Sequence, residues 1–308
     1  MSQKGRGAEP SFLSGARLSG VLLRLSCERS RVQTEVARFG RFRLAADPDY
    51  PVDRLPVHCE LWSVSDGALR FGGVDQHHWA RRMGAAWGAS MGALWDLAPI
   101  RRGVRTGEPG RLGRAAEWTA LAASRATAAS MGTYCELMVS VPGVIDERGD
   151  RSRPHALVLG MLTDSALARW ADQTLGFGYR KKPATFRRDP RGGWNVSSED
   201  GQPLVSVSRQ VPPVRPAFLD VDRIDAIFQM PLLGSSRPGH LSRSWLWRSL
   251  RQPDAHVAPV AVSLDTSKAL LGGVLPGRLE IPAYGGGEAS GAIEFSNVEA
   301  WISYPTPA

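Results

Sequence analysis

The second half of the chain alternates short apolar and polar runs with glycine, proline and aspartate turns. That rhythm limits the fold more than any other feature. "GGWNVSS", "PLVSVSR", "HVAPVAVSL", "GRLEIPA" and "GAIEFSNVEAWISY" each read as a strand bounded by turn residues. Upstream, "VHCELWSV" alternates loosely, "EWTALAAS" and "GTYCELMVSVPG" read as paired strands, and "HALVLGML" reads as another. In "GTYCELMVSVPG" a period of two puts Tyr134, Glu136 and Met138 on one face and Cys135, Leu137 and Val139 on the other. The reading is one domain, mostly antiparallel β with a few helices.

The helical signals are fewer. "TDSALARWADQTLG" predicts a helix with Thr163 or Asp164 as its N-cap and Gly176 just past its end. Trp79, Met83, Trp87, Met91 and Trp95 recur every four residues and predict a buried helix. Arg101, Arg102, Arg105, Arg111 and Arg114 stand among glycines and read as an exposed loop. Residues 1–45 read as a basic, partly disordered lead-in, and residues 46–308 as the folded domain.

Composition narrows the class. With 308 residues, 43% hydrophobic and 22% charged, the chain can bury a full core. Its net charge of +8 suits anions. Cys27, Cys59 and Cys135 are widely spaced and odd in number, which fits a reduced, cytoplasmic setting. The longest apolar run, residues 83 to 95, falls short of the roughly 20 residues that span a bilayer, so no membrane partner is expected.

Several motif matches are better read as structure. "GASMG" has the nucleophile-elbow spacing around Ser90, but the Met/Trp stripe runs through it where a strand-to-helix turn is required. His77 and His78 are neighbours without a second ligand pair at metal spacing, so no metal is expected. "YGGGEASG" lacks the phosphate-loop pattern and reads as a hairpin loop. The arginine-rich loop has little aromatic interleaving and no recognised module, so no nucleic acid is expected.

One stretch remains. Of 38 basic residues only Lys4, Lys181, Lys182 and Lys268 are lysine, and two of them are adjacent in "GFGYRKKPATF". A lysine amine is nucleophilic only when neutral, and its ordinary pKa near 10.4 keeps it protonated at pH 7. Burial and a neighbouring like charge are the two devices that lower that value. A solvated basic loop is the alternative reading of the same residues.

The order "GTYCE", helix, "GYRKK", over about residues 117 to 186, resembles the acetoacetate decarboxylase family. That family has a Gly-x-Tyr-x-Glu strand, a short helix and a loop with two consecutive lysines, and acetoacetate decarboxylase is the established example of a lysine activated in this way. The resemblance implies an α+β fold: a mostly antiparallel, partly closed β-barrel with a few packed helices. It also implies a homo-oligomer without organic cofactor. Lys181 takes the place of the Schiff-base lysine and Lys182 that of the neighbouring charge. Glu136 takes the place of the active-site carboxylate, and Glu117 is matched to a second glutamate on the preceding strand. Tyr134, Tyr179 and Met138 would line the substrate pocket. Arg180 stands where the family commonly has proline, and Asp172-Gln173 where it has Arg-Glu. No arginine in residues 40 to 82 can be matched to the family's substrate-binding arginine. The implied activity is decarboxylation of a small β-keto acid such as acetoacetate. The alternatives are a Schiff-base aldolase or dehydratase, or a catalytically silent barrel that binds a small anionic or hydrophobic ligand.

Overall fold

Long strands dominate the first half of the chain and, apart from the 13-residue strand Gly291–Ser303, short ones the second. The computed structural model describes residues 12–39, 42–44, 51–70, 110–124, 128–146, 154–210, 224, 227–237, 240–250, 252–285, 290–303 and 305–307. The chain enters through β1 (Phe12–Glu28), α1 (Arg29–Ala37), β2 (Phe42–Leu44) and β3 (Arg54–Arg70). Then come α2 (Arg111–Ser124), β4 (Ala128–Asp146), β5 (His155–Thr163) and α3 (Ala166–Leu175). Four short strands follow: β6 (Lys181–Pro183), β7 (Thr185–Arg188), β8 (Trp194–Ser197) and β9 (Pro203–Arg209). After them lie β10 (Leu232–Arg237), β11 (His240–Ser244), β12 (Leu246–Ser249), β13 (His256–Pro259) and β14 (Val262–Thr266). A 3-10 turn (Leu270–Gly273), β15 (Arg278–Ile281), β16 (Gly291–Ser303) and β17 (Thr306–Pro307) close the described chain.

Among the described residues the strands form two sheets. The larger has 12 strands along the order β12-β16-β1-β3-β4-β5-β10-β11-β17, with β13 on β16, β2 on β4 and β6 on β5. The smaller has 5, in the order β15-β14-β9-β8-β7. Pairing is antiparallel except where β10 and β6 join β5. The larger sheet curls, since side chains from β1, β3, β4, β5, β10, β12 and β16 all reach one cavity. The fold is α+β, a mostly antiparallel, partly closed barrel.

Alternation along the long strands separates two cores. Leu18 and Leu22 of β1, Trp62 and Val64 of β3 and Met138 of β4 face the inside of the curl. Leu23, Leu25, Leu61, Leu137 and Val139 face the other way, against Trp194, Val196, Val205 and Leu264 of the smaller sheet. Both faces of the same strands are thus buried, which is why their sequences show only weak polar alternation.

Four expectations change. Phe12–Glu28 is an internal strand, paired with β16 on one side and β3 on the other, where a lead-in is expected. Residues 117 to 124 belong to α2, a helix, not to a strand pairing with β4. Arg111 and Arg114 sit on the exposed surface of that helix and not in a loop. "HVAPVAVSL" breaks into two strands after Pro259, β13 pairing with the larger sheet and β14 with the smaller. Proline has no N–H to continue a ladder, so the chain changes sheets there. The stripe from Trp79 to Trp95, Ser90, His77, His78 and Arg101 to Arg105 lie outside the described residues. No described helix is long and apolar enough to cross a membrane.

Candidate active site

The site is assembled by β4, α3 and the turn that feeds β6. Period-two alternation turns Tyr134, Glu136 and Met138 of β4 into the curl, as expected. Register places Trp62 of β3 opposite Glu136 and Glu60 opposite Met138. On the other side Glu136 faces Thr163 at the end of β5.

Helix α3 starts one or two residues later than the sequence suggests, where Thr163 or Asp164 is the expected N-cap. Ser165 is its N-cap, accepting from the Ala168 N–H at 3.1 Å. Thr163 and Asp164 anchor the helix start to β4 instead: the Thr163 hydroxyl donates to the Cys135 carbonyl at 2.9 Å, and Asp164 accepts from the Cys135 N–H at 2.8 Å. The helix ends at Gly176, whose φ of 79° is the left-handed conformation favoured by glycine at a helix C-terminus.

Asp172 shapes the turn that follows. Its buried carboxylate accepts from the Tyr179 N–H at 3.0 Å and the Lys181 N–H at 3.2 Å, and its carbonyl accepts from Gly176 and Phe177. A single side chain thereby holds both ends of the Tyr179–Lys181 segment. Gly234 of β10 packs against this turn, and a Cβ there would lie 2.1 Å from the Phe177 carbonyl oxygen. Phe177 and Tyr179 stack at 5.4 Å, and the Tyr179 hydroxyl hydrogen-bonds Ser244 of β11.

The turn delivers the Lys181 ammonium into the curl, where it forms an ion pair with Glu136. The two side chains are 12% and 6% exposed. Around them lies a cavity of about 80 Å³, with Leu18, Trp62, Met161, Phe177 and Leu232 among its apolar walls. That volume suits a small ligand. Tyr134 and Tyr179 complete the polar set. Burial, reinforced by the Glu136 charge, holds the Tyr134 hydroxyl well above the usual tyrosine range. Burial raises Tyr179 likewise, against a lowering by its bond to Ser244. Both are neutral hydroxyls at physiological pH and can donate.

Lys182 is not part of this group. Alternation along β6 sends its exposed side chain to the opposite face, beside Glu35, Arg38 and Arg180. The charge expected to sit next to the Lys181 amine is next to it in sequence and across the strand in space. Glu117 lies on α2, and its side chain is outside the described residues. The carboxylate that enters the interior from the strand beside β4 is Glu60.

Glu60 belongs to a buried polar cluster further along the same face. It pairs with Arg248 of β12, each 2% exposed, and the Arg248 guanidinium lies 3.9 Å from the Phe228 ring centre. His58, two residues along β3, is depressed to about 3 by burial first and then by Arg24 and Arg248. Sequence reasoning missed Asp172 as an organiser, together with Glu60 and Arg248. The alternation His58, Glu60, Trp62, Val64 was the available signal for Glu60. Arg248 has none, because it meets Glu60 across 188 residues.

Comparison with known proteins fits this picture at the level of fold. No protein-family model matches the chain, and no curated protein matches it. Among solved structures, one of acetoacetate decarboxylase is similar over 99% of this chain and 90% of its own, with a TM-score of 0.53 at 9% identity. Acetoacetate decarboxylase from Legionella pneumophila is similar over 100% and 91%, with a TM-score of 0.52 at 10% identity. An acetoacetate decarboxylase-like enzyme from Sphingomonas wittichii covers 100% and 98%, with a TM-score of 0.51 at 12% identity. The chain has the acetoacetate decarboxylase-like fold.

Proposed function

We propose that the protein is a Schiff-base enzyme acting on a small β-keto acid through Lys181, as a decarboxylating lyase. The observation that carries this reading is the Lys181–Glu136 pair enclosed in an apolar cavity. A lysine on an open loop would stay solvated and protonated. Here the carboxylate beside the amine can take its proton, freeing the lone pair to attack a ketone.

The steps follow from the groups present. The neutral Lys181 nitrogen adds to the carbonyl carbon, and loss of water leaves an iminium. The carbon–carbon bond to the substrate carboxylate breaks, CO2 departs, and its bonding electrons move into the enamine. Apolar walls such as Trp62 and Leu18 favour this step, because the charged carboxylate is poorly solvated there and neutral CO2 is not. The proton that Glu136 took from the lysine leaves with the departing hydroxyl as water. Glu136, protonated again from solvent, then gives a proton to the enamine carbon, and water hydrolyses the second iminium to release the ketone. Tyr134 and Tyr179 orient the substrate as donors, and Asp172 holds the Lys181 backbone in place. The small cavity and the three free thiols fit a small-molecule enzyme of a reducing, cytoplasmic setting. A homo-oligomer follows from the same family likeness.

The test is borohydride trapping with a panel of short β-keto acids. The expected result is a reduced adduct mapped to Lys181 and lost in Lys181→Arg, since a guanidinium stays protonated and cannot add to a carbonyl. Trapping without CO2 release would shift the reading to an aldolase or dehydratase. No adduct with any keto acid would leave a silent barrel that binds a small anion or apolar ligand.

A further inference from the structure

Strand β6 has a second side. Behind it, between the larger sheet and the segment leading into the 3-10 turn, lies a separate cavity of about 440 Å³, against about 80 Å³ beside Lys181. A volume of that size falls within the roughly 300–1,000 Å³ typical of small-molecule sites. The floor is hydrocarbon: Leu137 and Val139 of β4, Leu159 and Leu162 of β5, and Leu204 and Leu270 from the opposite wall. The rim is cationic. Arg38, Arg180 and Lys182 face a single carboxylate, Glu35, so three positive charges less one negative leave +2.

The charges are unequally committed. Glu35 is held by Arg38 at 2.8 Å. Arg180 donates to the neutral Ser235 carbonyl at 2.8 Å and lies over the Phe39 ring at 5.2 Å, so its charge is positioned but not neutralised. Lys182 is exposed and makes no ion pair with a described residue. Among the described residues, two cations therefore stand over an apolar floor without a matching anion. Backbone geometry marks the same place. Arg180 at φ 55° and Leu271 at φ 48° are two of the four described non-glycine residues with left-handed φ, and both line this cavity. Such conformations are costly for residues with a Cβ and persist where the surroundings enforce them.

We infer that this cavity is a binding site for an amphipathic anion: a hydrocarbon chain lying on the leucine floor, with one carboxylate or phosphate head between Arg180 and Lys182. An uncharged apolar ligand would leave the two cations unmatched, and a small inorganic anion would leave the floor uncovered. The site is independent of amine chemistry at Lys181, so it stands or falls apart from the proposed reaction.

Isothermal titration of the full-length protein with decanoate, decyl phosphate and decanol tests the site. Saturable binding of an anion is expected, with decanol weaker by about tenfold, as one charge-assisted contact implies. Lys182→Gln is expected to weaken decanoate by about tenfold. Ala269→Trp, at an exposed position on the lip, should block binding while circular dichroism reports an intact fold. A preference between decanoate and decyl phosphate identifies the head group within the same site. Equal affinity for decanol and decanoate, unchanged binding in both variants, or no saturable binding of either anion overturns the proposal.

Discussion

The two sides of β6 set adjacent lysines in opposite chemical worlds. On the inner side, Lys181 and its partner Glu136 are nearly sealed from solvent, and a second ion pair, Glu60–Arg248, is buried on the same face. On the outer side Arg38 is 63% exposed, and Lys182 and Arg180 are exposed as well. One strand, one residue type and one step along the chain therefore yield a candidate nucleophile and a candidate anion receptor. What separates them is the period-two alternation of a strand between two different packings. Adjacency in sequence is here a guarantee of opposite orientation, and it argues against a direct electrostatic partnership between the two amines.

The strongest way to break this comparison is to exchange the roles of the lysines. Lys181→Arg should reduce adduct formation and keto-acid turnover to background, whereas Lys182→Gln should lower them by less than about tenfold, an upper limit for a charge acting across the strand through partly solvated protein. Mass spectrometry of trapped protein and a CO2 assay measure both. If Lys182→Gln proves as damaging as Lys181→Arg, the two sides are not chemically separate.

Ion pairs on the two sides should differ in their worth to stability. Glu60→Leu leaves the Arg248 guanidinium buried without its carboxylate and should cost about 3–5 kcal/mol in urea unfolding. The double change Glu60→Leu with Arg248→Met removes both charges and should recover most of that loss. His58 sharpens the inner side further. It is neutral in the folded state down to about pH 3, while the unfolded chain binds a proton below about 6.5. The unfolded state therefore holds more protons between those values. Its contribution to stability is intact above about pH 6.5 and lost as the pH falls towards 3, by up to about 1.4 kcal/mol per pH unit. His58→Gln should flatten that part of the stability–pH curve. The smallest effect is expected outside. Glu35→Ala breaks the pair with Arg38, in which Glu35 is 12% exposed but the Arg38 guanidinium is 63% exposed, and should cost about 1 kcal/mol, since water screens the pair from the arginine side. A cost near that of Glu60→Leu would show that the outer rim is as sequestered as the interior.

Much of the site was legible along the chain because its signals are local. The alternation in "GTYCELMVSVPG" gave the face shared by Tyr134, Glu136 and Met138, and Gly176 marked the end of α3 before the lysine turn. Sequence and structure part where local signals are ambiguous. "EWTALAAS" is a short apolar run that fits a strand as well as the helix it forms, and periodicity alone does not separate the two. Phe12–Glu28 resembles a basic lead-in because both of its faces are buried, which weakens alternation.

The sequence by itself determined the strand-rich fold, the inward face of β4 and the position of a lysine doublet after a capped helix, all properties of the backbone's local periods. Only the tertiary structure decided that Lys181 meets Glu136, that Asp172 clasps the turn between Tyr179 and Lys181, and that Glu60 enters the interior to meet Arg248. It also decided that Lys182 overlooks a second cavity. Those outcomes depend on how a curled sheet brings distant strands together, and the pairing of Glu60 with Arg248 across 188 residues is invisible to any local pattern.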